Sequence, residues 1–322
     1  MAVMTSTPQH APVLLAEAMD YLDVRPGGRY IDCTTGLGGH SEVIAERIGP
    51  EGELLCIDQD AEALEFARAR LASFGRRVNF AHGNFRELRS VAEDAGFDEV
   101  DGVLMDLGLS SFQLGVAGRG FAFGLEGPLD MRMDPSAGGE TAGDVVNTWD
   151  EAALADLFRR YGEVQGARRI SRRIVQARPL GTTWELARAV EQAVGGARGR
   201  SQIHPATQVF LALRVHVNGE LDSLDAGLPQ ARGLLGFGTT SRPHGGRLVV
   251  ISFHSLEDRM VKQYLRREAT GCICPPRMPV CRCEHEATLR LLTPRAIRPG
   301  EDEVAGNPRA RSALLRAAER IG

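Results

Sequence analysis

Apolar and polar positions follow two rhythms along the first hundred residues. Short apolar runs at Tyr30–Cys33, Glu53–Ile57, Val78–Phe80 and Val100–Met105 have the length and composition of buried strands. Between them lie stretches with helical spacing, such as AEALEFARARLASF from Ala61. Strand alternating with helix predicts a parallel sheet. A lead-in, His10–Leu22, predicts a short amphipathic helix. The alternation then stops. From about Gln113 to His204 no segment reads as a good strand; RGFAFGLEGPLDMRMD is rich in glycine and proline and predicts an ordered loop. Glu151–Arg200 has helical spacing, as in EAALADLFRRYG and GARRISRRIVQAR. His204-Pro205 opens one further helix, PATQVFLALRVHVNGELDSL, with Pro205 in its first turn and Phe210, Leu213, Val217 and Leu221 as its buried stripe. A strong strand, GGRLVVISF, returns at Gly245, and the tail NPRARSALLRAAER predicts a basic, partly helical end. The pattern is that of a doubly wound α/β sheet domain (residues 1–112 and 205–322) interrupted by an all-helical domain (113–204).

Composition narrows the class. The chain has 322 residues, 43% hydrophobic and 25% charged, which is globular. No basic leader and no apolar run of about 20 residues appears, so a soluble, cytosolic protein is expected. Its six cysteines are then expected to be reduced or metal-bound. The net charge of −4 carries no global nucleic-acid signature, so any such contact must come from a local patch. One exists: Glu151–Arg200 holds ten arginines against five acids. Arg168, Arg169, Arg172 and Arg173 fall at i, i+1, i+4 and i+5, one stripe of a helix. A solvated face and a contact for an RNA backbone both account for it.

The densest chemistry is IDCTTGLGGHS, Ile31–Ser41: a strand ending in an acid, a glycine turn, and the start of a helix. Glycines allow a tight turn and close approach to a ligand, and the new helix points its amides at it. About 20 residues on, Asp58 ends a second strand, where an acid can take both hydroxyls of a ribose. Together they predict a nucleoside cofactor. A dinucleotide is disfavoured because Asp32 would repel a pyrophosphate, whereas an acid there suits the amine of S-adenosylmethionine. A turn that merely packs helix on strand would leave Asp58 unexplained.

Several further stretches extend across the chain: HAPVLLAE, DCTTGLGGHS, CIDQD, DLGLSS, RGFAF with GPLDMRMD, HPATQVF with ALRVHVN, ISFHSLEDRMVK and NPRARSALLR. In these the chain resembles the bacterial 16S ribosomal RNA (cytosine-N4) methyltransferases of the MraW/RsmH family, GPLDMRM and SFHSLEDR being the most specific. The resemblance implies a class I S-adenosylmethionine-dependent methyltransferase sheet with an inserted helical domain. It also implies 16S ribosomal RNA, within the small subunit, as partner, and N4 of a decoding-centre cytosine as acceptor. Carried over residue by residue, it implies cofactor contacts from Gly38, Gly39 and His40 in the turn, Asp58 on the ribose, Phe85 against adenine, and Asp106 and Gln113. The chain departs from the family pattern at Phe112 (usually proline), Gly115 (aspartate), Gln208 (arginine) and Leu211 (glutamine), which bears on the loop around Gln113. An NAD-dependent enzyme and a non-catalytic RNA-binding assembly factor are the competing readings.

Methyl transfer to a cytosine amine is an in-line displacement, and alignment is most of what the protein must supply. The amine's lone pair is delocalised, so acceptors for its hydrogens are expected at the fourth strand's end: Asp106, carbonyls of Leu107–Ser110, and Ser110 or Ser111. Asp106 serves equally as a cofactor contact. His254, in SFHSLED, is a candidate for touching base or phosphate, or for a purely structural turn. Cys33 and Cys56 read as inert packing thiols. Cys272, Cys274, Cys281 and Cys283, in CICPPRMPVCRC, suit a structural zinc site or four reduced thiols in a surface loop.

Overall fold

The computed structural model describes residues 12–195, 204–238, 244–275, 278 and 280–321. His10 and Ala11 of the expected lead-in lie outside them. Two units divide the chain: residues 1–108 with 222–322, and residues 109–221.

In the first unit, β1 (Arg29–Asp32), β2 (Glu53–Asp58), β3 (Val78–His82), β4 (Gly102–Asp106), β5 (Arg247–Ser252), β6 (Leu289–Leu291) and β7 (Leu314–Arg320) form one seven-stranded sheet ordered β3-β2-β1-β4-β5-β7-β6. The five N-terminal strands are parallel, and β7 runs antiparallel between β5 and β6. This is the doubly wound order of a class I methyltransferase sheet. Side chains alternate across it with period two. Ile31, Leu55, Ile57, Val103 and Met105 face one apolar cluster, while Tyr30, Leu54, Cys56 and Leu104 face another. The second cluster includes Met19 and Leu22 of α1 (Leu15–Leu22) and Ile44 and Ile48 of α2 (Gly39–Ile48). α3 (Ala61–Arg70) is capped by the Asp60 carboxylate, and α4 (Leu88–Asp94) adds Leu88 and Ala92 to the first cluster.

The second unit holds α5 (Ser111–Gly115), α6 (Ala142–Thr148), α7 (Glu151–Gly162), α8 (Ala167–Ala177), α9 (Thr183–Val194) and α10 (Pro205–Val217), with no strand among its described residues. Its core includes Phe158, Ile170, Ile174, Val190, Phe210 and Leu213. The glycine-rich loop is ordered by its own bonds. Arg132 forks onto Asp130 at 2.9 and 2.7 Å, and the Asn218 amide donates to the Met131 carbonyl and accepts from the Met133 N–H.

Three expectations are corrected. The helix expected from Pro205 through Leu224 is two helices. Asn218 and Gly219, the latter at φ 57°, end α10, and α11 (Glu220–Leu234) begins anew. With α10 packed on α7, the helical unit reaches Leu221 rather than His204. The tail is not helical beyond a short turn at Pro308–Ser312; its end is β7. α12 (Ser255–Glu268) and α13 (Glu301–Gly306) complete the first unit. Among the described residues no helix is long and apolar enough to cross a membrane.

Candidate active site at the strand ends

Three strands end in aspartates on the carboxyl edge of the sheet, where parallel sheets bind ligands. Asp32 closes β1 and is 1% exposed. Its Oδ2 accepts from the Ser41 hydroxyl at 2.6 Å and its Oδ1 from the Thr34 N–H at 3.2 Å. Burial pushes its carboxyl up to about 6, against those two bonds. The turn that follows needs glycine: Gly36 and Gly38 sit at φ 52° and 81°, and a Cβ on Gly39 would lie 2.5 Å from the Pro12 ring. α2 therefore starts at Gly39 with no side-chain cap. The buried His40 ring lies with Nε2 3.1 Å from the Val13 carbonyl and Nδ1 3.5 Å from Asp106 Oδ2.

Asp58 closes β2. Its Oδ2 accepts from the Gly36 N–H at 2.7 Å and its Oδ1 from the Asp60 N–H at 2.8 Å, so one carboxylate ties the glycine turn to the start of α3. Burial again pushes it up to about 6. Each oxygen has a second lone pair with which to receive a hydroxyl. Beyond β3, Asn84 caps a short turn at Phe85–Glu87 and donates its amide to Gln59 at 2.8 Å. α11 presses on this turn so closely that a Cβ on Gly227 would come 2.7 Å from the Phe85 ring.

Asp106 closes β4. Its N–H donates to Thr34 Oγ1 at 2.6 Å, while its own Oδ1 is buried with no hydrogen-bond partner. Burial, then the neighbouring Asp32 and Glu257, hold its carboxyl well above the ordinary range. A buried acceptor without a donor is costly in a folded protein and calls for one. The structure thus brings together Asp32, Gly38, Gly39, His40, Asp58 and Asp106. Acceptors for hydroxyls and an amine, amides at a helix start and an aromatic ring at the next turn fit a nucleoside carrying an amino-acid group. A pyrophosphate would meet three acids.

Other expected site residues are held by local bonds. Ser110 accepts from the Gln113 N–H at 3.2 Å and donates its own N–H to Gln113 Oε1 at 2.9 Å, a reciprocal cap of α5 in the second unit. The Ser111 side chain lies outside the described residues. His254 caps α12 with Glu257, whose Oε2 accepts the Phe253 N–H at 2.9 Å and whose Oε1 lies 3.1 Å from His254 Nε2. The structural role of both is therefore plain. Sequence reasoning missed Thr34, Ser41 and Glu257, which set the positions and protonation of the acids. The hydroxyls beside the acid in DCTTG were the available signal. Cys33 and Cys56 are buried, and burial pushes Cys33 well up and Cys56 to about 12, as inert thiols require.

In the second unit, α8 buries Ala167, Ile170, Ser171 and Ile174 and turns its arginines outward. Arg168 and Arg169 are exposed; Arg172 reaches Glu151 at 3.4 Å, and Arg173 Nε donates to Gln192 at 3.0 Å.

Comparison with known proteins bears on the whole chain. It is 52% identical over 319 residues to a ribosomal RNA small subunit methyltransferase H of Dehalococcoides mccartyi, covering 99% of this chain and 88% of that one. To proteins of the same name from Thermomicrobium roseum and Geobacter sulfurreducens it is 55% and 50% identical, each over 315 residues and 97% of this chain, covering 94% and 99% of theirs. The profile of the MraW methylase family matches residues 7–321. Edge acids, glycine turn and near-complete match agree: the chain belongs to the MraW methylase family, methyltransferases whose methyl donor is S-adenosylmethionine.

Proposed function

We propose that this cytoplasmic methyltransferase modifies the exocyclic N4 of a decoding-centre cytosine in 16S ribosomal RNA, meeting it within the small subunit. The observation that carries the reading is Asp106: a half-buried carboxyl at the strand edge, with its buried Oδ1 unbonded and its proton affinity raised. When bound, S-adenosylmethionine supplies an electrophilic methyl on a sulfonium. The rest is the work of the chain. Asp58 receives the ribose hydroxyls on its free lone pairs. Gly38, Gly39 and His40 present the start of α2 to the amino-acid carboxylate. Phe85 offers its ring to the adenine, and Asp32 holds Ser41 and Thr34 in place beneath.

In its ionised form Asp106 would accept an N4 hydrogen at Oδ1, hold the nitrogen lone pair toward the donor, and take up the proton that N4 must lose. A carboxyl with a raised pKa is the kind of acceptor that works near neutrality. Ser110 and His254 remain as expectations toward the base from their place beside the strand ends, and Gln113 toward the cofactor from the resemblance. The helical unit is the substrate-recognition element, with its α8 arginines on RNA phosphates.

The test is nucleoside mass spectrometry on small subunits from a deletion strain, after incubation with purified protein and labelled S-adenosylmethionine. N4-methylcytidine is the expected product. A 5-methyl or adenine product overturns the acceptor, and subunit binding without a single turnover overturns catalysis.

A further inference from the structure

The loop joining α12 to β6 contains four cysteines that the methyl-transfer site does not use. It is closed at its base by the Thr288 N–H donating to the Glu268 carbonyl at 2.8 Å. Above that base, none of the described residues from 271 to 286 is buried. Ile273, Met278 and Val280 are exposed, Val280 by 66%. Among the described residues no hydrophobic burial therefore holds the loop together. Yet the Sγ atoms of Cys272, Cys274, Cys281 and Cys283 all lie within 4.8 Å of one another. Cys272–Cys281 is 3.5 Å, Cys281–Cys283 3.6 Å, Cys272–Cys283 3.8 Å and Cys274–Cys281 4.0 Å. All four cysteines are free of disulfides.

We propose that these four cysteines bind one zinc ion as a tetrahedral tetrathiolate that staples the loop. Four sulfurs at the usual zinc–sulfur distance of about 2.3 Å stand about 3.8 Å apart, the spacing seen here. A two-iron cluster would need its sulfurs in two separated pairs, not one compact set. Each thiol gives up its proton as it takes the metal, and zinc keeps its oxidation state, so no redox partner is required. The product carries two negative charges, and the backbone is arranged to spread them. The N–H of Ile273, between the first two cysteines, donates to Cys283 Sγ at 3.4 Å. The N–H of Arg282, between the second two, donates to Cys274 Sγ at 3.4 Å. Each C-x-C pair thus supplies two ligands and one donor to the second sulfur of the other. This reciprocity explains how C-x-C spacing can replace the more familiar C-x-x-C.

Untagged protein, purified without added metal and analysed by plasma mass spectrometry, should hold about one zinc per chain, with X-ray absorption showing four sulfurs near 2.3 Å. Replacing Cys281 and Cys283 together by serine should reduce bound zinc at least about tenfold and speed tryptic cleavage after Arg282. Adenosylhomocysteine affinity, measured by calorimetry on the same variant, should stay within about twofold and so report an intact sheet. Should that variant fail to fold, cobalt(II) added to metal-stripped wild-type protein should give thiolate charge-transfer and tetrahedral d–d bands. A folded wild-type chain with no metal and four thiols reactive to a disulfide reagent overturns the proposal. So does iron in place of zinc, or a disulfide.

Discussion

Acid should weaken cofactor binding, and the strand-end acids set by how much. Asp32 and Asp58 are pushed up to about 6, and burial, then the neighbouring Asp32 and Glu257, also raise Asp106 well above the ordinary carboxylate range. A ligand that brings an ammonium and two hydroxyls favours their ionised forms, so protons compete with it. The affinity is present above these pKa values and is lost as pH falls through them. At pH 5 a carboxyl with a pKa of about 6 is ionised in about one molecule in eleven. One such group in contact with the ligand, as proposed for Asp58, therefore weakens binding about tenfold relative to pH 8. Asp106, also raised, adds to the dependence in the same direction. S-adenosylmethionine should feel that part more than adenosylhomocysteine, which lacks the sulfonium charge. Calorimetry between pH 5 and 8, in buffers of differing ionisation enthalpy, measures both the affinity and the protons released, with circular dichroism verifying the fold at each pH. The free protein should show the opposite sign. A raised Asp32 contributes stability that is complete below about pH 3.8 and lost as pH rises through about 6. A rise from an ordinary carboxylate value to about 6 corresponds to about 3 kcal/mol. Asp32→Asn should therefore raise the Tm of the free protein at pH 8. Affinity that stays flat from pH 5 to 8, with no proton release, would refute the assignment of these acids to the ligand.

Three more outcomes follow from the same geometry. Asp58→Ala leaves two ribose hydroxyls and the Gly36 and Asp60 amides without their acceptor, at about 1–3 kcal/mol, so calorimetry should show adenosylhomocysteine binding at least about tenfold weaker; unchanged affinity removes Asp58 from the site. Changing Arg168, Arg169, Arg172 and Arg173 to alanine should leave cofactor binding intact and lower the salt slope of RNA binding by roughly 0.7–0.9 for each phosphate no longer neutralised, with Arg168 and Arg169 dominating because the other two have partners within the unit; an unchanged slope makes the stripe a solvated face. Cys33→Ser and Cys56→Ser should retain methyl transfer, since the proposed attack by N4 would need no cysteine and burial keeps both thiols protonated; complete loss of turnover in a folded Cys33→Ser variant that still binds cofactor would sink direct displacement.

How legible each part of the fold was depends on where its stabilising partners lie. β1, β2 and β4 are apolar runs ending in an acid, so their burial and their chemistry both show locally, and the glycine turn between β1 and α2 shows with them. β7 does not show. Its residues, LLRAAER, are mostly helix formers, and only tertiary partners make them a strand. Ala317 and Ala318 fit between β5 and β6 because they are small. Arg316 is 8% exposed because Asp258 of α12 takes it with two bonds, at 2.7 and 3.0 Å. Those partners lie far away in sequence. The end of α10 was legible in principle, since Val-Asn-Gly-Glu is a stop signal, but apolar spacing running through it suggested continuity.

The candidate site divides along the same line. An acid at a strand end announces itself, whereas Ser110 and His254 drew attention as reactive groups because they sit beside such ends. Their occupation is written three residues on, in Ser-x-x-Gln and His-x-x-Glu, where side chain and backbone exchange bonds at a helix start. Capping does not remove a group from chemistry, but it fixes where the group can reach. Asp106 has no such local partner. Its Oδ1 is left unbonded by a fold that bonds Asp32 and Asp58 through both of their oxygens, and that difference among three otherwise similar aspartates is why the N4 hydrogen is proposed to go to Asp106.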